Sequence, residues 1–278
     1  MCNLMIDKHI TIEAFCRHTD IYHQSGLEKY GKAYKKHSHV ALVSAFFNII
    51  EQVDAATCLE IGAFQAETSV KFINGAPARQ ALAVEANPYN FNKYKDSLTD
   101  VGILYHHAAV LEREGPCELQ LQVTDIDVKN GYIRANNSLL KSDARLGTRA
   151  VTVPGTTLDA LVKSYVASGT LPNPLIAPPV LWIDAEGALD RVITGGTQTI
   201  KNSTVIFAEV ETECLWNGQA TLKEIADQLD KLGFLPWLRD CEYEPEQFNV
   251  IFANRNLVDT NLLEKPAEQF YSELQNKV

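Results

Sequence analysis

The sequence predicts an α/β protein built on a doubly wound, mostly parallel sheet. From residue 57 onward, short apolar runs with strand character alternate with runs of helical period, as in successive βαβ units. Two of these runs, Val180–Asp184 and Thr204–Val210, are almost continuously apolar, as strands covered on both faces are. Two last runs, Phe234–Leu238 and Phe248–Ala253, are joined by an acidic turn. That pattern places an antiparallel strand at the edge of the sheet.

The elements follow in order. Residues 1–37 have mixed polarity and no sustained period, and residues 1–39 hold five of the seven histidines. They read as short helices or an irregular cap, with His37 and His39 preceding a helix. From Leu42, apolar residues recur at Phe46, Ile49, Ile50 and Val53, a helical spacing that ends near Asp54. Thr57–Ile61 reads as the first strand and Ala66–Ile73 as a helix stopped by Asn74-Gly75. Gln80–Glu85 is the second strand. Asn87 and Pro88 open the next helix as cap and first helical residue. Gly102 breaks that helix, and Ile103–Val110 is the third strand. Cys117, Leu119, Leu121 and Val123 alternate with polar residues, so they predict a half-buried strand in a peripheral hairpin.

Residues 124–179 are less regular, with a strand–helix signal at Val151–Val162 and a loop, Gly169–Pro179, carrying four prolines. Val180–Asp184 is the fourth core strand, and Gly187–Ile193 is a short helix ended by Gly195-Gly196. After the strand Thr204–Val210, Leu222, Ile225, Ala226, Leu229 and Leu232 form a helix stripe capped by Gly233. The expected organisation is an N-terminal helical cap segment, 1–54, and one α/β domain, 55–278.

A chain of 278 residues, 46% hydrophobic and 22% charged, buries enough apolar surface to fold without disulfides or metals. The net charge is −10, and ten acids against three bases between Val205 and Val250 hold −7 of it. An acidic surface repels nucleic acid and anionic lipid, so neither is an expected partner. No apolar run approaches the roughly 18 residues of a membrane span, and the opening residues lack the pattern of a signal peptide. The six cysteines are scattered without a CxxC pair. Reduced thiols, a cytoplasmic location and no metal centre are therefore the expectation.

In an open α/β sheet, ligands bind at the carboxyl ends of the strands. Those ends carry Glu60, Glu85, His106 and His107, Asp184 with Glu186, and Glu209 with Glu211. The first strand runs into Gly62 and then into a helix, the arrangement of a cofactor loop. A dinucleotide fingerprint needs further glycines, because the pyrophosphate must lie against the turn. One glycine suits a cofactor without pyrophosphate, such as S-adenosylmethionine. Glu85 ends the second strand 25 residues after Glu60, where a carboxylate can accept hydrogen bonds from ribose hydroxyls.

Asp184, Glu186 and Glu209 are the candidate catalytic carboxylates. Residues two apart in a strand share a face, which would let Asp184 and Glu186 converge as a general base or admit a divalent cation without requiring one. The alternative reading of Glu186 is an acid near the N-terminus of the following helix. At least one of His106 and His107 is expected to be structural. Trp182 reads as core, and Trp216 as either a buried anchor or a platform for a sugar face. Glu242, Glu244 and Glu246 read as a solvated hairpin.

These pieces resemble the FkbM family of methyltransferases. The resemblance lies in Glu60-Ile-Gly62-Ala63-Phe64-Gln65-Ala66, in VEANPYNF at 84–91 and HHAAV at 106–110, and in Asn137-Ser138-Leu139. It continues in Thr157-Leu158-Asp159, in WIDAEGALDRVITGG at 182–196, in Phe207-Ala-Glu209-Val210-Glu211 and in Phe248–Phe252. It implies a Rossmann-like class I fold with seven strands and S-adenosyl-L-methionine as cofactor. It implies cofactor contacts from Glu60, Gly62, Ala63 and Phe64 after the first strand, and from Glu85, Ala86 and Asn87 after the second. Ala108 after the third strand and Asp184 after the fourth complete the set. The implied reaction is O-methylation of a hydroxyl on a sugar or glycosylated small molecule. Three positions depart from the family pattern: Glu60 stands where Asp is usual, Phe64 where Asn is usual, and Ala66 where Gly is usual.

Two other readings of the same residues are a nicotinamide-dependent oxidoreductase and a non-catalytic Rossmann-like binding protein. The single glycine at Gly62 and the lack of a well-placed Tyr-x-x-x-Lys pair weigh against the first. Phe64 and Ala66 weigh for the second.

Overall fold

The computed structural model describes residues 10–124, 128–142, 148–243 and 245–275. Cys2, His9 and Glu244 lie outside the described residues. The protein carries a seven-stranded sheet, ordered β3-β2-β1-β7-β8-β10-β9, and a three-stranded sheet, ordered β4-β6-β5. The strands are β1 (Thr57–Ile61), β2 (Gln80–Glu85), β3 (Leu104–His107), β4 (Ala109–Val110) and β5 (Gly115–Gln122). They continue with β6 (Thr148–Thr156), β7 (Val180–Ile183), β8 (Val205–Glu211), β9 (Phe234–Arg239) and β10 (Gln247–Asn254). The chain divides into two compact units. One comprises 55–203 and 214–220, the other 1–54, 204–213 and 221–278.

In the first unit β1 pairs in parallel with β2 on one side and β7 on the other, and β2 pairs in parallel with β3. All five residues of β1 are buried, as a strand covered on both faces requires. The intervening helices are α3 (Glu67–Ile73) and α4 (Pro88–Asp100). Asn87 caps α4 as expected, its side chain accepting from the Tyr89 amide, with Pro88 in the first turn. The run expected as one strand over Ile103–Val110 is two. The chain leaves the large sheet at Ala108, whose amide donates to the Glu85 carbonyl, and β4 pairs with β6 instead. β5 and β6 form the expected antiparallel hairpin. Its inner face packs Leu119, Leu121 and Val153 against Ala109 and Leu111. α5 (Leu158–Ala167), α6 (Leu189–Gly195) and α7 (Thr197–Lys201) complete the unit.

In the second unit the expected antiparallel strand is present, one place in from the edge. β10 runs antiparallel to both β8 and β9, and β9 is the outer strand. Pro236 sits in β9, where an outer strand tolerates a residue without an amide donor. α8 (Leu222–Lys231) buries Leu222, Ile225 and Leu229 and begins with a capping box of Thr221 and Glu224. Each of those side chains contributes roughly 1.5–3 kcal/mol on burial.

The N-terminal segment is more regular than its sequence suggests. It forms two long helices, α1 (Ile12–Tyr30) and α2 (Lys32–Gln52), separated at Gly31 with φ 56°. His37 and His39 lie inside α2 rather than before it. The buried face of α2 starts at Tyr34 and Ser38 and continues through Ala41, Leu42, Ala45, Phe46, Ile49 and Ile50. Its first half is polar or small, which hides the period. A last helix, α9 (Asn261–Gln275), was not expected, and it packs on α2. Its stripe of Leu263, Ala267, Phe270 and Leu274 is interrupted in sequence by Pro266. Among the described residues, no helix is long and apolar enough to cross a membrane.

α1 is fastened to β9 by a buried arginine. Arg239 is 1% exposed; its Nε donates to Thr19 Oγ1 at 2.6 Å, one terminal nitrogen pairs with Asp20, and the guanidinium lies over the Phe248 ring. Removing one partner of a buried pair leaves a desolvated charge. Asp20 is partly exposed, so Asp20→Ala is expected to lower unfolding stability by about 2 kcal/mol rather than the full buried-pair cost. Urea melts of the two proteins measure this, and superimposable curves would show that Asp20 does not hold Arg239.

Candidate active site

A cavity opens at the carboxyl ends of β1, β2 and β7, all within the first unit. The turn after β1 forms its floor. Gly62 has φ +79°, and a Cβ on it would stand 1.8 Å from the Asp184 carbonyl oxygen. Only glycine meets both conditions. The Asp184 amide in turn donates to the Ile61 carbonyl, so the two strand ends are locked together. Phe64 and Ala66 also have positive φ, 45° and 52°. These are two of the positions where the sequence departs from the pattern of the family it resembles, and left-handed backbone is where Asn and Gly cost least.

Glu60 and Glu85 are almost completely buried, 4% and 6% exposed. Glu60 Oε2 accepts from the Ser69 amide at 2.7 Å and so anchors α3. Glu85 Oε2 accepts from the Phe64 amide at 2.7 Å, and Oε1 from the Asn87 amide at 2.6 Å and Asn90 Nδ2 at 3.3 Å. A carboxylate offers about four acceptor sites, so these three donors leave Glu85 about one. Burial pushes each carboxyl up to about 7; their hydrogen bonds oppose the shift and the charge of Asp184 adds to it.

Asp184 and Glu186 do converge, with carboxylate oxygens within 4.8 Å of each other, but not by strand alternation. β7 ends at Ile183, and the next residues form a tight turn with φ 46° at Glu186 and 83° at Gly187. A Cβ at Gly187 would strike the Trp216 ring at 2.4 Å. Trp216 is 3% exposed, which makes it a buried anchor for this turn rather than a sugar platform. Glu186 does not cap a helix: α6 starts at Leu189, with Ala188 in the cap position. Ser138 holds the turn from the other side. Its hydroxyl donates to the Glu186 carbonyl at 2.6 Å and accepts from the Leu140 amide.

Of the expected cofactor residues, Ala63, Ala86 and Ala108 line the cavity together with those already described. Asn87 does not; besides capping α4, it donates to the Tyr132 carbonyl. Glu209 belongs to the second unit, where Gln247 Nε2 donates to it at 2.6 Å. His106 and His107 bond to the Tyr165 hydroxyl and the Ala86 carbonyl, and burial lowers both their pKa values. Neither lines the cavity. Trp182, expected as core, is half-buried and does line it.

The sequence reading missed Asn90. Its amide donates to both Glu85 and the Arg134 carbonyl, and its oxygen accepts from the Arg134 amide. It thereby ties the segment around Arg134 to the cavity. Its position three residues after Asn87, on the same face of α4, is the signal that could have found it.

Among the described residues, five acids line the cavity (Glu60, Glu67, Glu85, Asp184 and Glu186) against one base, Arg134. Such a lining attracts a cation and concentrates like charge in one place. Two outcomes follow. A carboxyl whose folded pKa exceeds its unfolded value binds protons more tightly when folded, so stability falls as pH rises from about 4.5 through 7. The fall is expected to be on the order of a few kcal/mol for the pair. Thermal melts from pH 5 to 8 should show it, and Glu60→Gln should flatten it; identical profiles would mean that Glu60 ionises normally. Separately, Ala66→Gly is expected to raise stability by roughly 1 kcal/mol by removing left-handed strain. A lower melting temperature for that variant would contradict the assigned backbone.

No family model matches the sequence, and no curated protein matches it. Similar solved structures include the precorrin-6y C5,15-methyltransferase of Geobacter metallireducens, 13% identical over 74% of this chain and 83% of that one, TM-score 0.36. They also include a protein of the NADB-Rossmann superfamily from Streptococcus agalactiae, 9% identical over 82% and 96%, TM-score 0.37. A third is LepI in complex with SAM, 10% identical over 72% of this chain and 43% of that one, TM-score 0.33. Likeness at these values carries no argument about activity. The α/β class itself stands on the strand order and pairing described above: a mostly parallel seven-stranded sheet with one antiparallel strand.

Proposed function

We propose that the protein is an S-adenosylmethionine-dependent O-methyltransferase that acts on a hydroxyl of a sugar or glycosylated small molecule. The observation that carries this reading is the pairing of the Gly62 turn with the Glu85 carboxylate in one acidic cavity at the strand ends. The residues fit this cofactor. The lining is acidic where the cofactor is cationic, Gly62 leaves the backbone open to close approach, and Glu85 keeps acceptor capacity for a ribose hydroxyl. When bound, S-adenosylmethionine supplies a methyl group on a positively charged sulfur.

The residues of the chain have two tasks. The acceptor oxygen must be held in line with the bond that breaks, because orientation removes much of the barrier. The acceptor hydroxyl must also lose its proton. Asp184 and Glu186 are assigned that role, since two carboxylates held within 4.8 Å of each other gain from taking up a proton. Ser138 and Trp216 fix the turn that carries them. The resemblance to FkbM-family sequences supports the sugar hydroxyl as acceptor, and an uncharged polyol suits a cavity that repels phosphate-rich partners.

Calorimetry with S-adenosylmethionine tests the cofactor, and methyl transfer to a panel of glycosylated acceptors tests the reaction. Glu85→Gln keeps the size of the side chain and is expected to weaken cofactor binding at least about tenfold, the value of a hydrogen bond to a charged group. Asp184→Asn should reduce turnover by about a hundredfold or more while leaving cofactor affinity within a few fold. No binding heat in the wild-type protein would sink the proposal. Equal losses of affinity and turnover in Asp184→Asn would move Asp184 from the base to the cofactor contact.

A further inference from the structure

The second unit holds a group of side chains that the methyl-transfer reading does not use. His39 on α2 faces Asp240 and Glu242, which follow β9. Its Nδ1 lies 3.0 Å from Asp240 Oδ2 and 2.9 Å from Glu242 Oε2. One imidazole nitrogen carries at most one hydrogen, so it cannot serve two carboxylates fully at equal distance. A cation can. Ligand atoms about 2.1 Å from a zinc-like ion stand about 3.4 Å apart in tetrahedral geometry, so the 3.0 and 2.9 Å separations need only a small spreading of these side chains to admit one.

The carboxylates are prepared as metal ligands are. Asp240 has a fully buried side chain, and its Oδ1 is fixed by the Asn249 amide at 2.8 Å. Asn249 Nδ2 donates to Oδ2 at 2.8 Å, and the His39 ring is set edge-on to Phe207. Ligating carboxylates and imidazoles are oriented by such outer partners. The side chains of His39 and Glu242 are 28% and 21% exposed, so one side of the group is open to solvent. This overturns the reading of Glu242 as part of a solvated hairpin.

We propose that His39, Asp240 and Glu242 form a binding site for a first-row divalent cation such as zinc, with an open coordination position. An imidazole ligand favours zinc, cobalt or nickel over magnesium and calcium, and three protein ligands with a free position match a site that can bind a further oxygen ligand rather than a closed structural one. Sequence reading could not find it, because the ligands are some 200 positions apart and show no metal-ligand spacing.

The test uses the whole protein after chelation and dialysis. Zinc titrated in the calorimeter should bind at one site, and cobalt should give visible ligand-field absorption at one equivalent. Glu242→Gln, which changes a partly exposed side chain, should weaken zinc binding at least about tenfold, and His39→Gln should remove the cobalt spectrum. Circular dichroism confirms that each variant is folded. No saturable binding in the wild type, or binding undiminished in both folded variants, overturns the site and leaves an ion pair of His39 with the two acids.

Discussion

A single methyl group on Gly62 would sit 1.8 Å from the carbonyl oxygen of Asp184, and the site depends on that closeness. The end of β1 and the end of β7 can meet only if the residue between them has no side chain and a left-handed φ. Their meeting brings Glu60, Asp184 and Glu186 to one cavity. It also sets the Phe64 amide where Glu85 can accept from it. The Ile61–Asp184 backbone bond and the Glu85 bonds to Phe64 and Asn87 make the loop rigid. Preorganised groups of this kind need no rearrangement when a ligand arrives.

The arrangement costs stability in two ways. Left-handed backbone at Phe64, Ala66 and Glu186 stores strain, on the order of 1–3 kcal/mol per residue. Burying Glu60 and Glu85 away from water pushes both carboxyls up to about 7, and the nearby Asp184 adds to the cost. Both offset the gain from the packed strands, and both concentrate at the cavity. Strain and buried like charges at one place are in keeping with the proposed cationic cofactor. The −10 charge therefore has a local part with a purpose, apart from its effect on solubility. Another local part, in the other unit, is taken up by His39 with Asp240 and Glu242.

The core strands and their carboxylates were legible because period, glycine position and strand-end chemistry are local. Thr57–Ile61, Gln80–Glu85 and the Asn87-Pro88 helix start fall where the sequence places them. Four features were not legible, for physical reasons. The split of Ile103–Val110 at Ala108 is decided by a partner, β6, whose pairing residues lie 46 positions later. The buried faces of α2 and α9 open with polar residues or contain Pro266, so tertiary packing overrides the local signal. Convergence of Asp184 and Glu186 was expected from strand alternation and arises from a turn, because Gly187 admits Trp216 against the backbone. The contacts of Asn90 and Ser138 depend on the segment around Arg134 and Asn137, which carries no regular period.

The most direct measurement of the central constraint is cofactor binding by Gly62→Ala. The variant keeps every acid of the cavity and adds one methyl group. If the closeness of Gly62 to Asp184 builds the site, the thermal shift given by S-adenosylmethionine to the wild-type protein should vanish while far-UV circular dichroism keeps the α/β signature. The intrinsic melting temperature should also fall, since backbone must move to relieve the overlap. A Gly62→Ala protein that binds S-adenosylmethionine with wild-type affinity would contradict the account.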